Sequence, residues 1–180
     1  MRAPSSDVAF TPAVKAVQLR KGSRHAYARM EKGDGWETQV TSELAAFLAK
    51  QNSFFLATAN AAGQPYIQHR GGAPGFLRVL DATTLAFADL RGNRQYISLG
   101  NLSENPKVHL FFVDYATGTR IKVWGEAVVV EDDAALLAEL MPAGYDGRPE
   151  QAIVIHVTAW DANCPQHIPH LVPARDDEER

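Results

Sequence analysis

Four segments of the chain gather side chains whose types and spacing could do chemistry. The densest is Phe87-Ala88-Asp89-Leu90-Arg91-Gly92-Asn93-Arg94-Gln95-Tyr96-Ile97-Ser98. An apolar run ends, a glycine turns the chain, and polar donors open what reads as a helix from Asn93 to about Leu102. Free backbone N–H groups at a helix start favour an anion, and Arg94 adds a forked, charge-assisted contact suited to phosphate. Asn93, Tyr96 and Ser98 extend the donor set. The same residues also suit a polar loop followed by a capped surface helix.

The second segment is Gln64-Pro65-Tyr66-Ile67-Gln68-His69-Arg70-Gly71-Gly72. A strand running into two glycines lets backbone approach a flat ligand, and Arg70 adds a cation; a twisted strand ending in a bulge, with Arg70 solvated, is the plain alternative. In the third, Thr119–Gly125, alternation puts Arg120, Lys122 and Trp124 on one face and Ile121 and Val123 on the other. Two cations on a strand face are commonly solvated; they also suit an anionic pocket or a subunit interface. The fourth is the tail Trp160-Asp161-Ala162-Asn163-Cys164-Pro165-Gln166-His167-Ile168-Pro169-His170. Its Cys-x-x-His-x-x-His order has zinc-ligand types, but so local a set lacks a fourth ligand and rarely reaches tetrahedral geometry. We expect no metal. Prolines that hold the tail extended, laying Asn163 and Gln166 against a neighbouring pocket, are the preferred reading.

Several chemistries drop out. There is no Gly-x-Ser-x-Gly elbow, no phosphate loop ending in Gly-Lys-Ser/Thr, and no Gly-x-Gly-x-x-Gly after a strand. The single cysteine, Cys164, forbids paired Cys-x-x-Cys motifs and intrachain disulfides. With 18 Lys+Arg against 21 Asp+Glu the net charge is −3, which argues against nucleic acid. The start Met1-Arg2-Ala3-Pro4-Ser5-Ser6-Asp7 has no signal-peptide core, and runs such as Phe54-Phe55-Leu56-Ala57 are far shorter than the roughly 20 residues a bilayer needs. A cytoplasmic protein without a membrane partner is expected.

The elements that must position these residues follow from pattern. Thr11 and Pro12 start a helix with Val14, Val17 and Leu19 as an apolar face, ending at Gly22. Thr41 caps Ser42–Lys50, where Leu44, Phe47 and Leu48 share a face. Strands are expected at Ser53–Ala59, Gln64–Arg70, Phe76–Leu80, Thr84–Asp89, Lys107–Asp114, Thr119–Glu131 and Gln151–Trp160, with Asn105-Pro106 stopping the helix before the fifth. Asp132-Asp133 starts a further helix through Leu136, Leu137 and Leu140. Tight connections between about six substantial strands predict an antiparallel sheet closing on itself, with helices outside.

Phe54-Phe55-Leu56-Ala57-Thr58-Ala59 followed by Gly63-Gln64-Pro65-Tyr66, then Gly92-Asn93-Arg94, Asn101-Leu102 with Asn105-Pro106, and Arg120–Gly125 form an ordered set. From about Thr41 to His170 the chain resembles the FMN-binding split-barrel family related to pyridoxamine 5′-phosphate oxidase. The Asn-Cys-Pro-Gln-His-Ile tail is similar to that of an FMN-binding subgroup. The resemblance implies a mainly β fold with flanking helices: a six-stranded antiparallel split β-barrel over 41–170, a helical extension over 1–40 and a flexible tail at 171–180. It also implies a homodimer with FMN at the subunit interface and a small-molecule electron donor or acceptor.

By the same resemblance the flavin-contacting strand falls on Gln68, His69, Arg70, Gly71 and Gly72, and the next contact pair on Phe87 and Ala88. The phosphate-gripping pair falls on Asn93 and Arg94, so an amide replaces one cation, with Tyr96 and Ser98 alongside. Arg120 stands near a glutamine that reaches the flavin from the partner subunit, with Lys122 as a second cation. Trp160 matches a tryptophan beside the cofactor, and Asn163, Cys164 and Gln166 follow it. The oxidase's Arg-x-His substrate motif has no counterpart, so we expect an FMN-dependent oxidoreductase acting on another small molecule. A flavin or haem carrier and a reductase using the deazaflavin F420 are the alternatives.

Overall fold

The computed structural model of the chain describes residues 3–33, 35–163 and 166–171. A short 3-10 helix, Ser5–Val8, leads into α1 (Pro12–Lys21) and α2 (Arg24–Lys32). Thr11 Oγ1 accepts the Val14 N–H at 3.3 Å, and Gly22 ends α1 at φ 79°, where a residue with a Cβ is strained. The expected apolar face of α1 does not turn inward. Val14, Val17 and Leu19 are exposed, and the buried residue is Gln18, whose Oε1 accepts from Arg24 Nη1 at 2.8 Å. Arg24 in turn pairs with Glu31, so polar contacts rather than packing join α1 to α2.

Helix α3 (Ser42–Leu48) is capped by Thr41, whose Oγ1 accepts the Leu44 N–H at 3.3 Å. Leu44 and Leu48 are fully buried, with Phe47 beside them. Seven strands follow: β1 (Ser53–Ala59), β2 (Pro65–Gly71), β3 (Arg78–Val79), β4 (Thr84–Leu90), β5 (Lys107–Asp114), β6 (Thr119–Val130) and β7 (Pro149–Asn163). Helix α4 (Ile97–Glu104) lies between β4 and β5, and α5 (Ala134–Leu140) between β6 and β7. Among the described residues no helix is long and apolar enough to cross a membrane.

All the strands form one antiparallel sheet in the order β2-β1-β5-β6-β7-β4-β3. β6 and β7 are its long spine, with a register shift at Trp124/Gly125. A Cβ on Gly125 would lie 2.6 Å from the His156 carbonyl oxygen, so only glycine lets the strands meet there. The sheet curls about a phenylalanine core. Phe54 of β1 lies 5.4 Å from Phe87 of β4 and 5.3 Å from Phe112 of β5, ring centre to ring centre, although β1 and β4 share no ladder.

The expected closed six-stranded barrel is corrected in two ways: there are seven strands, and the sheet stays open between β2 and β4. β3 contributes only two residues, pairing Arg78 with Ala86 and Val79 with Leu85, so Phe87–Leu90 has no ladder partner on that edge. The turn after β2 is tied elsewhere: the Gly72 and Gly75 N–H groups donate to the carbonyls of Asn52 and Gln51. That anchorage carries the chain away before Phe76–Leu80 can lie along β2, and side chains rather than backbone span the gap.

Candidate functional site

The gap is a groove of ≈ 250 Å³ whose walls include Gln68 and Arg70 from β2 and Phe87 and Asp89 from β4. Alternation along β2 turns Gln68 and Arg70 to the half-buried side, and places His69 on the other face against its cross-strand partner Phe55, rings 5.8 Å apart. Arg70 crosses the gap to form an ion pair with Asp89; the side chains are 11% and 6% exposed. Its guanidinium carbon stands 5.7 Å from the centre of the Phe87 ring, and its Nε, also buried, has no hydrogen-bond partner among the described residues. Asp89 Oδ2 accepts from Gln151 Nε2 of β7 at 2.7 Å. Arg70 is therefore neither solvated nor a free cation, as the sequence had suggested it could be.

At the end of the groove the segment after β4 departs from its expected form. The helix begins at Ile97, not Asn93. Arg94 and Tyr96 both sit in the left-handed region, at φ 60° and 52°, which no helix accepts, and Asn93 Oδ1 accepts the Gln95 N–H at 3.2 Å in a side-chain-closed turn. Asn93 and Arg94 thus occupy a strained loop ahead of α4. Arg94 Nε donates to the Tyr96 hydroxyl at 3.0 Å, and that hydroxyl donates to the Glu150 carboxylate at 3.3 Å. Arg91 Nε lies 3.7 Å from the same carboxylate. Ser98, buried at the start of α4, donates to Gln68 Oε1 at 3.0 Å and ties the loop to β2. Asn101, one turn on, donates to Thr58 Oγ1 of β1 at 2.9 Å.

Of the residues expected at a site, Gln68, Arg70, Gly71, Phe87, Asn93, Arg94, Tyr96 and Ser98 therefore share one region. The glycines answer an internal demand: a Cβ on Gly72 would lie 2.7 Å from Phe76, and one on Gly71 3.0 Å from the His69 ring. His69 and Ala88 also border the groove, while the Ala88 side chain packs with Ala86, Leu140 and Ala152 under α5.

Arg120, Lys122, Trp160 and Asn163 form a second group near the far ends of β6 and β7, where Arg120 faces Asn163 and Lys122 faces Asp161. From Gln151, beside the groove, to Asp161 the strand runs ten residues, or ~33 Å at ~3.3 Å per residue. Within one copy of the chain the two groups do not meet. Lys122 Nζ is 3.0 Å from Asp161 and 5.4 Å from the ring centres of both Trp36 and Trp124, which stack 4.6 Å apart. The Trp160 indole N–H donates to the Gln39 carbonyl at 2.8 Å. The segment before α3 thus runs beside this end of β7, where Glu37 bridges Trp160. Behind Trp124 lies His109, ring centres 4.8 Å apart; burial, and then the Lys122 charge, hold its pKa below the ordinary imidazole value. Gln166 is exposed in a turn, and Cys164 lies outside the described residues. Among the described residues no group of three His, Cys, Asp or Glu could hold a metal.

Sequence reasoning passed over Asp89, Glu150 and Gln151. Asp89 carried a signal, an acid closing an otherwise apolar strand. Glu150 carried none, because it reaches Tyr96 from 54 positions away.

No curated protein matches the chain. The pyridoxamine 5′-phosphate oxidase family profile matches residues 40–164. Among solved structures, HupZ of Group A Streptococcus is 20% identical, with a TM-score of 0.55 over 73% of this chain and 99% of its own. A Clostridium acetobutylicum protein related to general stress protein 26, of the pyridoxine phosphate oxidase family, is 16% identical, with a TM-score of 0.53 over 72% and 89%. An FMN-binding protein of Syntrophomonas wolfei is 14% identical, with a TM-score of 0.51 over 84% and 95%. At these identities the likeness is one of fold.

Proposed function

The chain belongs to the pyridoxamine 5′-phosphate oxidase family, and on that premise we propose that it is a flavoprotein holding FMN in the β2–β4 groove, as an oxidoreductase for a small molecule. The observation that carries this reading is the groove itself. Two strand edges face each other without a ladder, a buried guanidinium N–H has no acceptor among the described residues, and one end is rimmed by Arg91 and Arg94.

The residues present fit a flat ligand with an anionic tail. Arg70, its charge balanced by Asp89, brings no net charge to the ring system. Arg91 and Arg94 supply the charge for a phosphate, in an open loop where guanidinium forks can turn to it. When bound, FMN supplies hydride and electron transfer; the protein supplies position and field. The groove, ≈ 250 Å³, is smaller than the ~300–1,000 Å³ common for ligand sites, so in this reading a second copy of the chain provides the missing wall. Pyridoxamine phosphate is not the proposed substrate, because the tail presents Gln166, His167 and His170 in place of an Arg-x-His motif.

Titration of micromolar protein with FMN, read by quenching or enhancement of flavin fluorescence, tests the proposal. Arg94→Glu is expected to weaken FMN binding at least about tenfold by reversing a phosphate contact. Unchanged flavin fluorescence on adding wild-type protein refutes flavin binding. Bleaching of bound flavin on mixing with NADH or NADPH is expected of an enzyme.

A further inference from the structure

Two groups of one short loop meet a single carboxylate from another strand, and a third stands behind them. The Tyr96 hydroxyl is 3.3 and 3.4 Å from the two Glu150 oxygens, Arg91 Nε is 3.7 Å from one of them, and Arg94 reaches the carboxylate through Tyr96. Glu150 is the less exposed partner of the Arg91 pair, with a side chain 23% exposed against 38%. The loop so held is strained, since Arg94 and Tyr96 are non-glycine residues at positive φ, and such strain persists only where surrounding contacts enforce it. A hydroxyl and a guanidinium on an oxyanion, with the Arg94 guanidinium behind the hydroxyl, are donor types that a phosphate monoester uses.

We infer that Glu150 is an internal stand-in for phosphate, an autoinhibitory anion that a ligand's terminal phosphate must displace. The inference rests on the proposed groove ligand for its identity, but its physics needs only a phosphate. A dianion arriving at Arg91 and Arg94 meets the Glu150 charge, and both cannot keep the same donors. The displaced carboxylate has somewhere to go. Glu150 borders not only the groove end but an adjoining hollow of ≈ 510 Å³ whose lining includes Arg148 and also Glu131. Exchanging Tyr96 and Arg91 for Arg148 frees the loop to close on phosphate. A ligand without phosphate leaves Glu150 in place, so the device penalises phosphate binding without touching ring binding.

The test compares full-length wild type with Glu150→Gln, a substitution of equal size at a partly exposed position. Titration with FMN and with riboflavin, which lacks phosphate, reads the two halves separately. Glu150→Gln is expected to tighten FMN about tenfold, the order expected from removing one like charge a few ångströms from a phosphate near solvent, and to leave riboflavin within about twofold. FMN bound no more tightly by the variant than by wild type overturns the inference. A second readout is the rise in melting temperature with inorganic phosphate, expected to be larger for Glu150→Gln. Should wild type bind no FMN, the flavin reading fails by itself; an equal or smaller phosphate-induced rise in the variant then overturns the inference as well.

Discussion

Asp89→Ala tests the side-chain bridge that spans the open edge of the sheet. The substitution removes the partner of Arg70 and the acceptor of the Gln151 amide together. With side chains 11% and 6% exposed, the pair is nearly dry, so solvent screening discounts little of its value. Breaking a buried pair by deleting one member costs about 3–5 kcal/mol, chiefly from the charge left behind. The stranded Gln151 amide belongs to the same network, so its cost overlaps that figure. A loss of ~4 kcal/mol is a large part of the ~5–15 kcal/mol typical of a folded domain. At ~2–4 °C per kcal/mol for a chain of this size, it lowers the melting temperature by about 8–16 °C. Urea unfolding followed by circular dichroism measures the loss directly. Arg70→Met with Asp89→Leu replaces the bridge by apolar contacts and is expected to recover most of it, because neither charge remains buried. A loss below ~1 kcal/mol for Asp89→Ala, or a double variant no more stable than the single one, refutes the bridge as a structural element.

Two further outcomes follow from other parts of the fold. Gly125→Ala drives a methyl to 2.6 Å from the His156 carbonyl oxygen and 2.9 Å from Ile155, so the β6–β7 ladder must open; a loss of ~1–3 kcal/mol is expected in denaturant, and an unchanged midpoint contradicts the fit. His109 resists protonation when folded and takes a proton near 6.5 when unfolded, so the unfolded state binds more protons and stability falls as pH drops below 6.5 toward the depressed folded value. His109→Gln flattens that part of the stability-against-pH curve; an unaltered slope places the dependence elsewhere.

Local rules placed most of the elements. Thr11 and Thr41 cap the helices their types suggest, and the alternating character of Gln64–Arg70 is the alternation seen in β2. They failed where a local pattern had two outlets. Val14 and Val17 read as an inward face, but both are exposed, and Gln18, bonded to Arg24, is the buried residue of α1 instead. Asn93 and Arg94 read as the opening of a helix, but closure of the Asn93 turn and left-handed backbone at Arg94 and Tyr96 delayed it to Ile97.

The sequence by itself determined the alternation and the breakers, and with them an antiparallel sheet. These follow from φ/ψ preference and side-chain period, which act within a few residues. Tertiary structure alone decided which charges remain available. Arg70 is balanced by Asp89 across the sheet opening, Lys122 is held by Asp161 beside two stacked indoles, and Glu150 comes from the start of β7 to the loop it restrains. Electrostatic partners are chosen by distance in space, and a curled sheet brings together strands that chain order keeps apart.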